Sequence, residues 1–151
     1  MKILKENLSS RSRQIKFLHD FIENHKLGVL ATVSGRMLPE ASVVGIAVLK
    51  NLEIIFGSFV NARKVTNLQT NPYVSLAIGW EKGLTVQFEG RVEKIDDLEA
   101  EKYLRTTLAT IPSIAKYVQR EFRLIYRIKP KWVRFADLSR DPWDRFEISF
   151  S

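Results

Sequence analysis

Apolar and polar positions alternate with two different periods along this chain. Over Ser10 to His25, Ile15, Leu18, Phe21 and Ile22 recur at helical spacing, with Lys16, Asp20 and Glu23 elsewhere on the helix. The spacing predicts an amphipathic helix that must lie on an apolar surface. Lys26-Leu27-Gly28 ends it, and residues 1–9 read as a loose start. From Val29 the runs become short, β-prone and separated by turn residues. Strands are expected at Val29–Val33, Pro39–Leu49, Leu52–Ser58, Tyr73–Trp80 and Leu84–Ile95. Ser34-Gly35-Arg36, Lys50-Asn51 and Glu81-Lys82-Gly83 supply the turns, and Gly45 marks a bulge or a close backbone approach. Thr85-Val86-Gln87-Phe88-Glu89 alternates between two faces.

Asp96-Asp97 should cap a second helix over roughly 97–108, with Leu98, Tyr103 and Leu104 inward, broken at Ile111-Pro112. A short helix over 113–119 follows. Strands are then expected at Phe122–Lys129, Trp132–Ala136 and Arg145–Phe150, with a charged loop over Asp137–Asp144. Short hairpins between mostly antiparallel strands predict a mainly β (α+β) fold, a closed or nearly closed barrel with flanking helices. No repeat or linker divides the chain, so residues 1–151 read as one domain: a loop and helix over 1–26, then the barrel with its helices over 27–150.

One stretch breaks a local rule. Phe56-Gly57-Ser58 ends a strand, Asn61 is suited to N-cap a short helix, and Asn71-Pro72 stops it. Arg63 and Lys64 fall in the first turn of that helix, where the macrodipole favours anions by about 0.3–1 kcal/mol each. Free backbone N–H groups and two cations make a phosphate cradle. A solvated basic face is the other reading.

Composition narrows the chemistry. At 151 residues and 45% apolar content, the chain is long enough for a real core. There is no cysteine, hence neither disulfide nor thiolate chemistry. His19 and His25 share one predicted helix but not one face, so no metal site is expected, and both read as helix-surface residues. No run is long enough to span a membrane and no signal-peptide core is present, which makes the cytoplasm the expected compartment. The net charge of +7 suits an anionic partner, but the basic residues are scattered, which does not favour nucleic acid. No Ser-His-Asp set and no glycine-rich phosphate loop is visible.

Taken in order, several pieces resemble the pyridoxamine 5'-phosphate oxidase superfamily, the FMN-binding split β-barrels, over roughly residues 27–150. They are Leu30-Ala31-Thr32-Val33 with Pro39, Phe56 through Pro72, Tyr73 through Trp80, and Val86 through Ile95. The helix Glu99 to Tyr103, Ile128 through Phe135 and Asp144-Arg145 complete the set. The resemblance implies a homodimer with FMN at the subunit interface and hydride exchange between the flavin and a small substrate. It implies that Arg63 and Lys64 grip the flavin phosphate and that Gly57 and Ser58 lie near the flavin. Ser42 and Val43 fall on a strand giving backbone contacts, Thr85 stands where the oxidases use a ring-contacting glutamine, and Arg145 is a further flavin contact. Gln87 either joins these contacts or faces solvent. Trp143 either covers a ring-shaped ligand or anchors its loop, and Trp80 either lines a pocket or rims the core.

The departures are specific. The family's second-strand arginine and lysine correspond to Ser42 and Ala47, a flavin-contacting tryptophan to Ala136, and the substrate-binding Arg and His to Arg140 or Asp141 and Trp143. Those losses argue against pyridoxamine phosphate oxidase activity itself and fit the short stress-protein-like branch. Related barrels bind the deazaflavin F420 or haem, and a flavin-binding protein without turnover is another alternative.

Overall fold

The computed structural model describes residues 8–96, 98, 99, 101, 102 and 123–151. Helix α1 spans Arg11–His25. Ser10 caps it, its hydroxyl accepting from the Arg13 amide at 3.3 Å, and Lys26 closes it in the left-handed region. Leu18 and Ile22 are fully enclosed by the barrel, and the Phe17 and Phe21 rings meet Phe135 edge-on. The predicted apolar stripe is therefore the buried one.

Strands β1 (Leu27–Val33), β2 (Pro39–Val48), β3 (Ile54–Phe59), β4 (Tyr73–Ile78), β5 (Leu84–Lys94), β6 (Arg123–Asp137) and β7 (Asp144–Ser149) are joined antiparallel in the order β3-β2-β1-β4-β5-β6-β7. A further pairing of β3 with β6 closes the first six of these into a barrel, leaving β7 as an edge. Phe56, Phe88 and Phe135, with Leu30, Ile54, Leu76 and Ile78, fill the interior. Helix α2 (Arg63–Thr70) lies between β3 and β4 and packs against β1 and β3.

Several boundaries differ from those the sequence predicts. The two strands expected on either side of Pro130 are one long strand, β6. Gly90 faces Pro130 and Glu89 faces Trp132, so Lys131 is the extra residue of a bulge, where a proline without an N–H is tolerated. The bulge is therefore here and not at Gly45, whose register with Leu27 is regular. Gly90 is the close approach: a Cβ there would meet Ile128 at 2.5 Å. Leu52 belongs to the turn before β3, with φ of 68°, and is nonetheless fully buried. Asp96 accepts from the Glu99 amide at 2.9 Å, as a cap should, but Leu98 is exposed and not inward. Tyr103, Leu104 and the helix expected over 113–119 lie outside the described residues.

Candidate cofactor site

The residues singled out above fall into two groups. The first surrounds the start of α2. Asn61 does not cap this helix: Ala62 holds the N-cap position, with no side-chain hydrogen bond, and no acidic residue stands in the first turn. The tight Phe59-to-Ala62 turn, closed by the Ala62 amide on the Phe59 carbonyl, uses up Asn61 one residue early. Arg63 reaches across to an ion pair with Glu40 of β2. Lys64 is half-buried and has neither an ion-pair nor a hydrogen-bond partner among the described residues. Burial pushes its pKa below the ordinary lysine value. Ser58 is buried and its hydroxyl donates to the Phe59 carbonyl at 3.2 Å. Gly57 faces Ile125, whose Cδ1 would lie 3.0 Å from an added Cβ.

Beneath Arg63 is a polar network. Buried Asn67, on the inner side of α2, donates to Glu40 Oε1 at 2.7 Å and to Thr32 Oγ1 at 2.9 Å. Ser42 shares the Glu40 side of β2, two residues along. Thr32, Glu40 and Asn67 escaped the sequence reading. Nothing in the sequence marks Asn67, which stands in a largely polar helix, and its partners lie on other strands.

The second group lies on the outer face of β5, β6 and β7. Thr85 and Arg145 stand opposite Ala136 from either side, so the three form one row. Gln87 is exposed and stands in the next outward row, Val43–Val29–Ala77–Gln87–Arg134–Glu147. Arg145 is exposed and has no ion pair among the described residues, although Glu147 lies near enough to feel its charge. Trp143 is 61% exposed in the loop before β7, beside a cavity of about 410 Å³ that Arg140 and Asp144 also line. The Asp144 Oδ2 atom is buried without a hydrogen-bond partner. Asp137 anchors this loop: hydrogen bonds from the Ser139 hydroxyl and amide, with Arg140 beside it, hold its carboxyl below the usual range.

These two groups do not meet. Ser58 pairs with Leu124 near the start of β6, whereas Thr85 and Arg145 pair with Ala136 near its end. Those positions are twelve residues apart on β6, which runs round the closed barrel.

Other expectations need correction. Trp80 is 61% exposed and stands outside the packed core. Glu93, with Glu53 and Glu99, surrounds Arg127, which is largely buried. His25 is not a surface residue, since its ring stacks near Phe21 and lies against Gly79. His19 lies close to Asp20 and Glu23, but Asp20 already pairs with Lys16 at 2.8 Å. No helix among the described residues is long and apolar enough to cross a membrane.

The comparisons with known proteins bear on the family and the fold. A family model described as Pyridoxamine 5'-phosphate oxidase matches residues 15–137. The Pyridoxine-5'-phosphate oxidase of Dictyostelium discoideum is 38% identical over 77 residues, covering 51% of this chain and 34% of that protein. This chain thus spans about a third of that relative's length. General Stress Protein 26 from Bacillus anthracis superposes with a TM-score of 0.73 at 14% identity, over 91% of this chain and 98% of that one. HutZ, the haem storage protein from Vibrio cholerae, superposes with a TM-score of 0.63 at 18% identity, over 77% and 89%. At such identities the superpositions speak for the split-barrel fold alone. The family model covers most of the chain, and the chain belongs to the pyridoxamine 5'-phosphate oxidase family.

Proposed function

We propose that this chain is a flavin-binding, oxidoreductase-like protein that holds FMN between two copies of itself, the phosphate on one copy and the ring system on the other. The observation that carries this reading is the separation of the two groups along β6. Arg63 and Lys64 offer the charge and hydrogen bonds a phosphate monoester needs, and half-buried Lys64 is a cation still lacking an anion. Thr85, Arg145 and Trp143 offer a hydroxyl, a cation and a flat aromatic surface on an outer face that a second barrel can approach. That face is suited to contact: Val43 is 63% exposed, with Val29, Ala31, Ala41 and Ala77 around it.

The fit is good for a phosphate-bearing ring and poorer for the alternatives. Haem is favoured by the likeness to HutZ, but His25 is packed against Phe21 and Gly79 and His19 lies on the outer helix beside Asp20. When bound, the flavin supplies two-electron hydride chemistry. Arg63 and Lys64 would hold the phosphate, and Arg145 would offer a positive charge to the ring system. The substitutions at the positions the resemblance gives to the substrate-binding Arg and His, here Arg140 or Asp141 and Trp143, leave the substrate as a small molecule other than a pyridoxamine phosphate.

An absorption spectrum of the purified protein, repeated on the supernatant after heat denaturation, tests the reading. Two flavin bands released by heat, with about one FMN per chain, are expected. A Soret band would replace FMN by haem. A protein that stays colourless and takes up neither added FMN nor F420 would sink the cofactor reading.

A further inference from the structure

The two cations at the start of α2 differ in a way that bears on how the site is filled. Lys64 has no partner among the described residues, whereas Arg63 already holds a carboxylate, that of Glu40. Glu40 is fixed from below. Asn67 Nδ2 donates to its Oε1 at 2.7 Å, and Asn67 is in turn buried against Thr32. Arg63 is the movable partner, with its side chain 84% exposed against 25% for Glu40. The guanidinium can therefore leave while the carboxylate stays.

Resting on the phosphate-cradle reading above, we propose that Glu40 is a built-in competitor for the ligand's phosphate. It holds Arg63 in the free protein, and the guanidinium exchanges it for the phosphate on binding. A phosphate monoester then meets one standing cation, Lys64, and one that must be released by Glu40. Exposed ion pairs hold weakly, so the exchange is reversible and tunes affinity instead of blocking it. A phosphate monoester, with a charge approaching −2 and further oxygens for Lys64, displaces Glu40 more readily than a single carboxylate or chloride does. Glu40 thus lowers by one factor the affinity of every anion that needs the Arg63 guanidinium.

The test is FMN affinity at fixed ionic strength, read from quenching of flavin fluorescence, in wild type, Glu40→Gln, Arg63→Ala and the double variant. Glutamine keeps an oxygen for the Asn67 amide, so the network beneath survives and only the charge is lost. Glu40→Gln is expected to bind FMN about three- to fivefold more tightly. In the Arg63→Ala background the same change should alter affinity by less than about twofold. Unchanged or weaker binding by Glu40→Gln would overturn the proposal, because Glu40 would then be positioning Arg63. An equal gain in both backgrounds would also overturn it, leaving only a general repulsion. Inorganic phosphate, titrated by the shift in melting temperature of the same proteins, reads the cradle without flavin. Phosphate tightening in Glu40→Gln, together with no FMN binding by any variant, would keep the exchange and remove the flavin. Equal phosphate and FMN affinities in wild type and Arg63→Ala would remove both.

Discussion

Helices α1 and α2 both begin with cations, against the preference of the macrodipole, and differ in how the conflict is met. At α1, Ser10 caps the first turn, and Arg11 turns away to donate to the Ser149 carbonyl at 2.9 Å and cover the Phe150 ring. The cap and Arg11 there have partners within the chain, while the exposed Arg13 side chain has none among the described residues. At α2 there is no side-chain cap, Arg63 borrows Glu40, and Lys64 is half-buried with no partner among the described residues. The first helix is capped by its own fold; on the proposed reading the second is completed by an anion from outside. A local rule broken once in each place is largely compensated in one and left open in the other, and the open place is where the proposed site lies.

The strongest way to break this comparison is to remove both cations of α2. Arg63→Ala with Lys64→Ala should weaken FMN binding about a hundredfold or more, since each charge-assisted contact is worth roughly 1.5–3 kcal/mol. Melting temperature without ligand should hardly move, because neither side chain supports the core. The reverse behaviour is expected at α1. Leu18→Ala, at a fully buried position, should cost about 2–5 kcal/mol in chemical denaturation. Flavin affinity of the fraction still folded should stay near wild type.

A subtler exchange sharpens the comparison further. Ser10→Ala should lose about 1 kcal/mol of stability by removing a working cap. Ala62→Asp should gain stability by adding a cap to α2, and should weaken FMN binding because its carboxylate occupies the same N–H groups. An Ala62→Asp protein that is stabilised and binds flavin as before would mean that the α2 terminus is not used.

The smallest effect is a pH dependence. Burial lowers the folded-state pKa of Lys64 below its unfolded value, so its protonation opposes folding at neutral pH. That cost is lifted as pH rises through the window from the lowered folded value to the ordinary lysine value. Lys64→Met should therefore melt slightly higher than wild type at neutral pH, and the difference should shrink in strongly alkaline buffer. A gain that persists there would point to packing and not to charge.

The barrel was legible because its signal is local. The alternation over Thr85 to Glu89 and the stripe of Ile15, Leu18, Phe21 and Ile22 each report a buried face directly. Pro130 misled, since a proline argues against strand interior unless a bulge removes the need for its N–H, and the bulge depends on the partner strand. Asn61 misled for a related reason: a good cap residue is used only if the preceding turn ends at it. Arg63 and Lys64 could be singled out from the sequence, but their inequality could not. Glu40 is far from them along the chain, and the contact exists only because β2 passes beneath α2. The separation of Thr85 and Arg145 from Ser58 likewise follows from the length of β6 and not from any motif.

The central claim is that one binding site draws on two copies of the chain, and subunit mixing tests it most directly. One variant, Arg63→Ala with Lys64→Ala, lacks the phosphate cradle; the other, Arg145→Ala with Trp143→Ala, lacks the ring-side contacts. Each alone should bind almost no FMN. After unfolding, mixing in equal amounts and refolding, random pairing should restore tight binding to about one site in four, because each mixed dimer rebuilds one complete site. Recovery near that level would establish a shared site. No recovery, with mixed dimers demonstrated by mass spectrometry, would mean that each chain binds its ligand alone and would contradict the account.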